Sequence, residues 1–258
     1  MEFARQLSRT ANRLILVGRR GERLKELAST LKSMAPQLQI DPFKADLSLS
    51  SECERLVAWI VREQIPVNLL INNAGLGDLG SFDSAQWQRL SSMLEVNITA
   101  LTHLTHLLLP MLRAHNPSAI LNVSSVAGFF PLPEMAVYAA TKAYVTSFSE
   151  ALRMELAPEG ITVTALCPGP VPTEFFKVAS RPGEKIHAME RSHPSLSSSA
   201  EMVVREALQG LVDDKPGVIP NALLGILVRG SRLLPFPLIR TAIRLGAGPQ
   251  KPKTHSQD

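Results

Sequence analysis

Tyr138 and Lys142 stand four residues apart, and Ser125 lies thirteen residues upstream of the tyrosine. A phenol titrates near ~10 and is a poor acid or base at neutral pH. On a helix, residues at i and i+4 share one face a single turn apart. The lysine ammonium is then placed to stabilise a phenolate and lower the cost of moving its proton. A serine hydroxyl arriving from a strand end can hydrogen-bond the oxygen of a carbonyl or alcohol. The three groups together can run a reversible carbonyl reduction. The bare Y-x-x-x-K spacing would match any tyrosine followed by a lysine on a surface helix, so its meaning comes from its setting. Ser124-Ser125 close the strand-like run Ala119–Ser124, and Tyr138 opens a helix predicted over Val137–Leu156.

The elements that must position these groups alternate short apolar runs with helical stretches. Helices are predicted over Met1–Thr10, Glu22–Met34, Ser50–Gln64 and Ala200–Asp213. A long helical region over Ser84–His115 is expected to bend near Asn97 and to end around Pro110. Strands are predicted over Arg13–Val17, Leu38–Ile40, Val67–Ile71, Ala119–Val123, Thr162–Leu166 and Gly217–Ile219, and the Ser/Pro-rich Thr173–Ser199 reads as a loop or lid. Near-continuous apolar strands separated by helices argue for an α/β fold with a parallel sheet covered on both faces. Ligands of such sheets bind beyond the strand C-termini. Gly18-Arg19, Asp46, Asn72–Gly75, Ser125 and Pro168-Gly169 all fall there.

The 258 residues, 45% hydrophobic and 19% charged, suit one domain of this kind. Cys53 and Cys167 have neither metal-ligand nor redox spacing, and no basic, apolar leader precedes the amphipathic Glu2–Leu7, so reduced thiols and a cytoplasmic location are expected. The net charge of +4 is unevenly spread. Residues 215–258 hold seven Lys/Arg and one acid, leaving the rest at about −2. That balance gives no argument for a nucleic-acid-binding core.

With these residues in place, the chain resembles the short-chain dehydrogenase/reductase family from Met1 to about Ile219. The likeness rests on Asn72-Asn73-Ala74-Gly75, Asn97, Ser125, Tyr138-x-x-x-Lys142 and Pro168-Gly169-Pro170-Val171-Pro172-Thr173. It implies a single-domain, Rossmann-like doubly wound parallel sheet over residues 1–220, followed by a basic, apolar tail over 221–258. It implies Tyr138 as general acid/base, with Lys142 polarising it and holding the nicotinamide ribose. Ser125 would orient the substrate carbonyl, and Asn97 would bend its helix and anchor a water for proton relay. Asn73, Ala74 and Gly75 would line the cofactor, with Pro168, Gly169, Val171 and Thr173 bordering the nicotinamide. Asp46, in Ala45-Asp46-Leu47-Ser48, matches the family residue that meets the adenine amine, with Leu47 beside it. Leu16-Val17-Gly18-Arg19-Arg20 carries no acid for ribose hydroxyls, and a guanidinium suits the extra phosphate of NADP. NADP(H) is therefore the expected cofactor. The segment Asn122–Pro133 and the tail look most like the DltE-like group and the related 3-oxoacyl-CoA reductases and 17β-hydroxysteroid dehydrogenases. They point to an apolar acyl or steroid-like ketone. The family also implies a homodimer or homotetramer.

The same resemblance exposes a gap. A first strand and a glycine-rich turn, whose N–H groups would hold a pyrophosphate, are not in this sequence. In the 3-2-1-4-5-6 strand order the first strand lies between the second and fourth, so Arg13–Val17 and Val67–Ile71 are expected to face an unfilled position. Three explanations are open: a start assigned about twenty residues late, a truncated pseudoenzyme with a binding role, or a fragment. A nucleotide-sugar epimerase shares Y-x-x-x-K but needs a longer C-terminal domain.

In the tail, Arg229, Arg232, Arg240 and Arg244 alternate with Leu/Ile clusters. No uncharged stretch in 221–246 reaches the ~18 residues of a membrane span. These helices are expected either to lie on a membrane surface or to pack on the domain or a second subunit. His103 and His106 are at i+3, but no convergent acid accompanies any of the six histidines, and no metal site is assigned.

Overall fold

In the computed structural model, residues 1–181 and 194–247 are described. Expectations for His187, His193, His255 and residues 182–193 of the lid segment fall outside them.

Helix α1 (Glu2–Leu7) leads to strand β1 (Arg13–Gly18), helix α2 (Gly21–Met34) and strand β2 (Gln39–Lys44). Helix α3 (Ser50–Arg62) and strand β3 (Leu69–Asn72) follow. Then come α4 (Trp87–Leu94), a π-type stretch over Glu95–Ala100, and α5 (Leu101–Ala114). Strand β4 (Ser118–Val123), helix α6 (Ala136–Leu156), strand β5 (Ile161–Leu166) and the short α7 (Glu174–Ala179) carry the chain onward. Helix α8 (Ala200–Val212), strand β6 (Gly217–Val218), α9 (Ala222–Ser231) and α10 (Phe236–Ala247) complete it. All strand pairings are parallel, as the apolar pattern requires.

The strands form two sheets. β1 pairs with β2, Arg13 opposite Gln39 through Gly18 opposite Lys44. The second sheet runs in the order β3-β4-β5-β6. Among the described residues no ladder joins β1 to β3, which is the break anticipated from the sequence. Side chains span the break instead. Ile15, Val17 and Phe43 of the small sheet pack on a core of Leu56, Ile60, Leu104, Leu108, Ile120 and Val163 beneath α3 and α5. On α1, Ala4 belongs to the cluster of Leu16, Leu27, Leu31 and Leu38, while Phe3 packs with Leu121, Leu166, Val203 and Ala207. Neighbouring residues of one short helix thus touch both sheets, and Gln6 Nε2 donates to the Glu201 carbonyl at 2.9 Å.

Several boundaries differ from expectation, three of them for clear physical reasons. The helix expected to stop around Pro110 continues to Ala114. Proline removes a backbone donor and costs a helix interior about 3 kcal/mol, but Leu104, Leu108 and Leu112 bury one continuous stripe on either side of it, and Pro110 itself faces solvent. β2 extends through Pro42 to Lys44 because an edge strand tolerates a missing N–H. Within Thr173–Ser199, read as loop, Glu174–Ala179 is helical, capped by Thr173 Oγ1 accepting from the Phe175 N–H at 3.3 Å.

Candidate active site

The C-terminal end of β4 delivers Ser125, whose Oγ accepts from the Ala127 N–H at 3.1 Å and so caps the tight turn Val126–Phe129. That turn lies directly on α6. A Cβ at Gly128 would come within 2.6 Å of the Lys142 carbonyl carbon and 2.8 Å of the Ala143 nitrogen, so only glycine permits the approach. The approach sets Ser125 beside the α6 turn that carries Tyr138, near enough to influence its phenol. Ser125, Tyr138 and Lys142 are all buried.

Burial decides the electrostatics. It pushes the Tyr138 phenol up to about 12, with the Ser125 hydrogen bond the opposing influence. Burial also lowers Lys142 to about 8, opposed by the neighbouring Cys167. Lys142 Nζ donates to the Val123 carbonyl at 2.8 Å and lies 5.8 Å from the Tyr138 ring centroid. The phenol's pKa is therefore set by burial here rather than by the ammonium, and the phenol stays protonated at neutral pH.

Asn97 sits in the π-type stretch and is buried. Its Oδ1 accepts from the Leu76 N–H at 2.8 Å, while Nδ2 donates to the Leu76 carbonyl at 2.9 Å and to Thr141 Oγ1 at 3.0 Å. The side chain thus clamps the loop after β3 onto α6. Gly75 in that loop faces Lys142: a Cβ there would lie 3.5 Å from both Nζ and Asn97 Oδ1. Below, Asn72 Nδ2 donates to Asn122 Oδ1 at 2.8 Å and to Thr105 Oγ1 at 3.0 Å, and Asn122 Nδ2 donates to Ser149 Oγ at 3.0 Å. This satisfied polar chain fixes β3, β4, α5 and α6 under the site.

The other expected residues fall in two groups. Pro168 follows β5, its carbonyl accepting from the Val126 N–H at 3.0 Å and from Ser125 Oγ at 3.4 Å. Gly169 backs onto Leu224, Val171 packs on the Leu121–Leu166 cluster, and Thr173 caps α7. Asn73 and Ala74 are exposed in the loop after β3. Arg19 and Asp46 lie past the ends of β1 and β2 in the small sheet. Asp46 Oδ1 accepts from the Ser48 N–H at 3.1 Å and hydroxyl at 2.8 Å. Burial works to raise this carboxyl, but the Ser48 bonds and the nearby Arg19 hold it below its ordinary value. Leu47 has its side chain in the main core, leaving only its backbone for a ligand.

Sequence reasoning missed three contacts. Phe175 of α7 packs on Tyr138 with centroids 5.4 Å apart. Asp78, fully enclosed, accepts from Arg89 Nε at 2.8 Å and from Arg181 through both Nε and Nη2. Burial would raise its pKa, but the two arginines outweigh burial and keep the carboxyl below its ordinary value. Because Arg89 also donates to the Val178 and Ala179 carbonyls at 3.1 Å, this cluster ties α7 to the loop after β3. Finally, Glu174 pairs with Arg20 and Arg23 at 3.1 and 2.8 Å, across the break between the sheets. No local motif marks any of these; they depend on segments distant in sequence meeting, 37 residues apart for Phe175 and Tyr138 and more than a hundred for Asp78 with Arg181 and for Glu174 with its arginines.

Residues 1–183 match the sequence profile of the short chain dehydrogenase family. The chain belongs to that family. It is 27% identical over 234 residues to the very-long-chain 3-oxoacyl-CoA reductase-A of Danio rerio, covering 86% of this chain and 67% of the relative. It is 36% identical over 170 residues to the sulfoacetaldehyde reductase of Chromohalobacter salexigens, covering 64% and 65%. Among solved structures, a short-chain dehydrogenase from Sphingobium yanoikuyae in complex with NADPH superposes with a TM-score of 0.75 at 28% identity, covering 94% of this chain and 91% of that one. The bulky-bulky ketone specific alcohol dehydrogenase from Comamonas testosteroni gives 0.74 at 27% identity, covering 99% and 91%. The family and these neighbours place the protein among NAD(P)-dependent dehydrogenases/reductases with a Rossmann-like fold.

The residues present fit the two ends of such a cofactor. At one end, glycine at position 75 leaves room beside the Lys142 ammonium. Arg19 and Arg20 supply cations at the other.

Proposed function

We propose that the protein is an NADP(H)-dependent oxidoreductase that reduces an apolar ketone or oxidises the corresponding secondary alcohol. The observation that carries the reading is that Ser125, Tyr138 and Lys142 are all enclosed, with Ser125 near enough to influence the Tyr138 phenol and Lys142 one helical turn from it. When bound, the nicotinamide supplies the hydride chemistry. Ser125 Oγ donates to the substrate oxygen and holds it beside Tyr138 Oη, which gives up its proton as negative charge develops there. Lys142 faces the resulting phenolate with a charge that costs less once an anion is present. Lys142, Pro168, Gly169, Val171 and Thr173, with Asn73–Gly75, would hold the nicotinamide end; Arg19 would hold the extra phosphate, and Asp46 with the Leu47 backbone the adenine. Asn97, its side chain committed to Leu76 and Thr141, leaves only its backbone carbonyl to order a water for reprotonation. The enclosing Phe175, Leu90, Met93 and Met135 favour an apolar substrate.

The test is Tyr138→Phe assayed with NADPH and a bulky aryl or steroid-like ketone. Loss of turnover with retained NADPH binding supports the assignment; undiminished turnover removes it. A second reading is a non-catalytic binding protein: among the described residues no ladder joins β1 to β3. Fluorescence titration of the 258-residue chain with NADPH separates the two, saturable binding favouring the enzyme.

A further inference from the structure

We propose that α9, α10 and their connection form a docking surface that lies in the interface of an anionic lipid bilayer. Helix α9 has two apolar faces. Leu224, Gly225 and Val228 are buried and fix it to the domain, with Leu224 against Gly169. Leu223, Ile226 and Leu227, at i, i+3 and i+4, form the opposite stripe and are exposed, Ile226 to 66%. The chain then presents Leu233 at 86% exposure and Leu234, followed by Phe236, Leu238 and, at 79%, Leu245 of α10. Along α10, Phe236, Leu238, Ile239, Ile243 and Leu245 fall on one broad arc, and Arg240, Thr241 and Arg244 on the other. Eight of the protein's large exposed apolar side chains are thus gathered into one short segment, a concentration that marks an interaction site.

The charge selects the occupant. Residues 222–247 carry Arg229, Arg232, Arg240 and Arg244 and no acid. A second copy docking through this face would set these cations against each other, so self-association is disfavoured. Apolar side chains flanked by arginines, whose stems lie along apolar surface while the heads reach the phosphates, match an anionic bilayer. Among the described residues no helix is long and apolar enough to cross a membrane, so the segment lies on the surface. Arg232 stacks over Phe129 at 5.0 Å, and Phe129 belongs to the turn that Ser125 caps. The docked face therefore adjoins the candidate active site.

The full chain is mixed with vesicles of phosphatidylcholine alone or with phosphatidylglycerol added, and bound protein is measured by co-sedimentation. Binding to the mixed vesicles is expected, falling with added salt and about fivefold for each arginine replaced in Arg240→Gln and Arg244→Gln. Leu233→Asp with Leu238→Asp, both at exposed positions, is expected to abolish it with an unchanged circular dichroism spectrum. Absence of binding to the mixed vesicles at low salt overturns the proposal. So does equal binding to both vesicle types, or a dimer in light scattering that Leu233→Asp dissociates. None of these readouts depends on catalytic activity.

Discussion

Replacing Lys142 by methionine should stabilise the folded protein at neutral pH, and the gain should vanish on the alkaline side. The lysine is buried, and its pKa falls from an ordinary 10.5 to about 8 because burial disfavours the ammonium. At ~1.36 kcal/mol per unit, holding that charge at pH 7 costs the fold roughly 3 kcal/mol. A lowered pKa means that between 8 and 10.5 the unfolded chain keeps a proton the folded one has released. Stability therefore rises with pH through that window. Methionine has similar length and no proton, so the variant lacks this slope. It also loses the bond from Nζ to the Val123 carbonyl, worth ~1 kcal/mol. The expected result is a variant about 2 kcal/mol more stable than the parent at pH 7, with the difference shifting by about 2.5 kcal/mol in the parent's favour by pH 10. Tyr138, raised to about 12, makes both proteins lose stability between 10 and 12, and that contribution cancels in the difference. Urea unfolding followed by the fluorescence of Trp59 and Trp87, at unit steps from pH 7 to 10, measures it. Parallel stability profiles for the two proteins would refute the reasoning, whatever their offset.

Gly128→Ala drives a methyl into the α6 backbone and should cost about 1–3 kcal/mol; calorimetry gives the loss, and the Ser125–Tyr138 contact should fail with it, lowering kcat more than KM. Asp78→Ala leaves two arginines around an emptied, enclosed position and should destabilise by about 3 kcal/mol. Since the Asp78 carboxyl is held below 3.8, its contribution is full at neutral pH and lost only as pH falls through that lower range; thermal melts at pH 7 and 3 should show the gap narrowing. Glu174→Gln releases Arg20 and Arg23 from a carboxylate held down at about 2, and should tighten NADPH binding up to about fivefold relative to NADH, read by fluorescence titration.

What the sequence made legible was whatever a short window can carry. The apolar runs and their helical partners gave strands and helices close to their observed places, because period and burial act locally. Ser125, Tyr138 and Lys142 were legible since helix spacing and a strand end put them together. Asn97 was legible as a bend, and the bend takes the form of a π-type stretch. The helix beyond Pro110 was not, because its persistence depends on Leu104, Leu108 and Leu112 finding a core supplied by α3, β4 and β5. Nor was the Asp78–Arg89–Arg181 cluster, since Arg181 comes from a segment whose return to the loop after β3 no local pattern encodes. The Tyr138 pKa also escaped: spacing shows that a lysine is near, but only the packed site shows that burial dominates.

The division of the sheet sorts the candidate site as well. Ser125, Tyr138, Lys142, Asn97 and Pro168 all hang from the β3–β6 sheet and the helices on it, and the Asn72–Asn122–Ser149 chain braces them from below. Arg19 and Asp46 belong to the two-stranded sheet. What couples the halves is apolar packing under α3 and α5, the bridging Phe3 and Ala4 of α1, and exposed ion pairs from Glu174 to Arg20 and Arg23. Exposed pairs contribute at most ~1 kcal/mol each, and side-chain packing fixes relative position less tightly than a shared ladder of backbone hydrogen bonds. Proton-transfer geometry therefore depends on a rigid body of its own, whereas gripping a dinucleotide end to end requires two bodies to hold their spacing. Changes at the break between β1 and β3 should act on cofactor affinity and leave the Ser125–Tyr138 geometry intact.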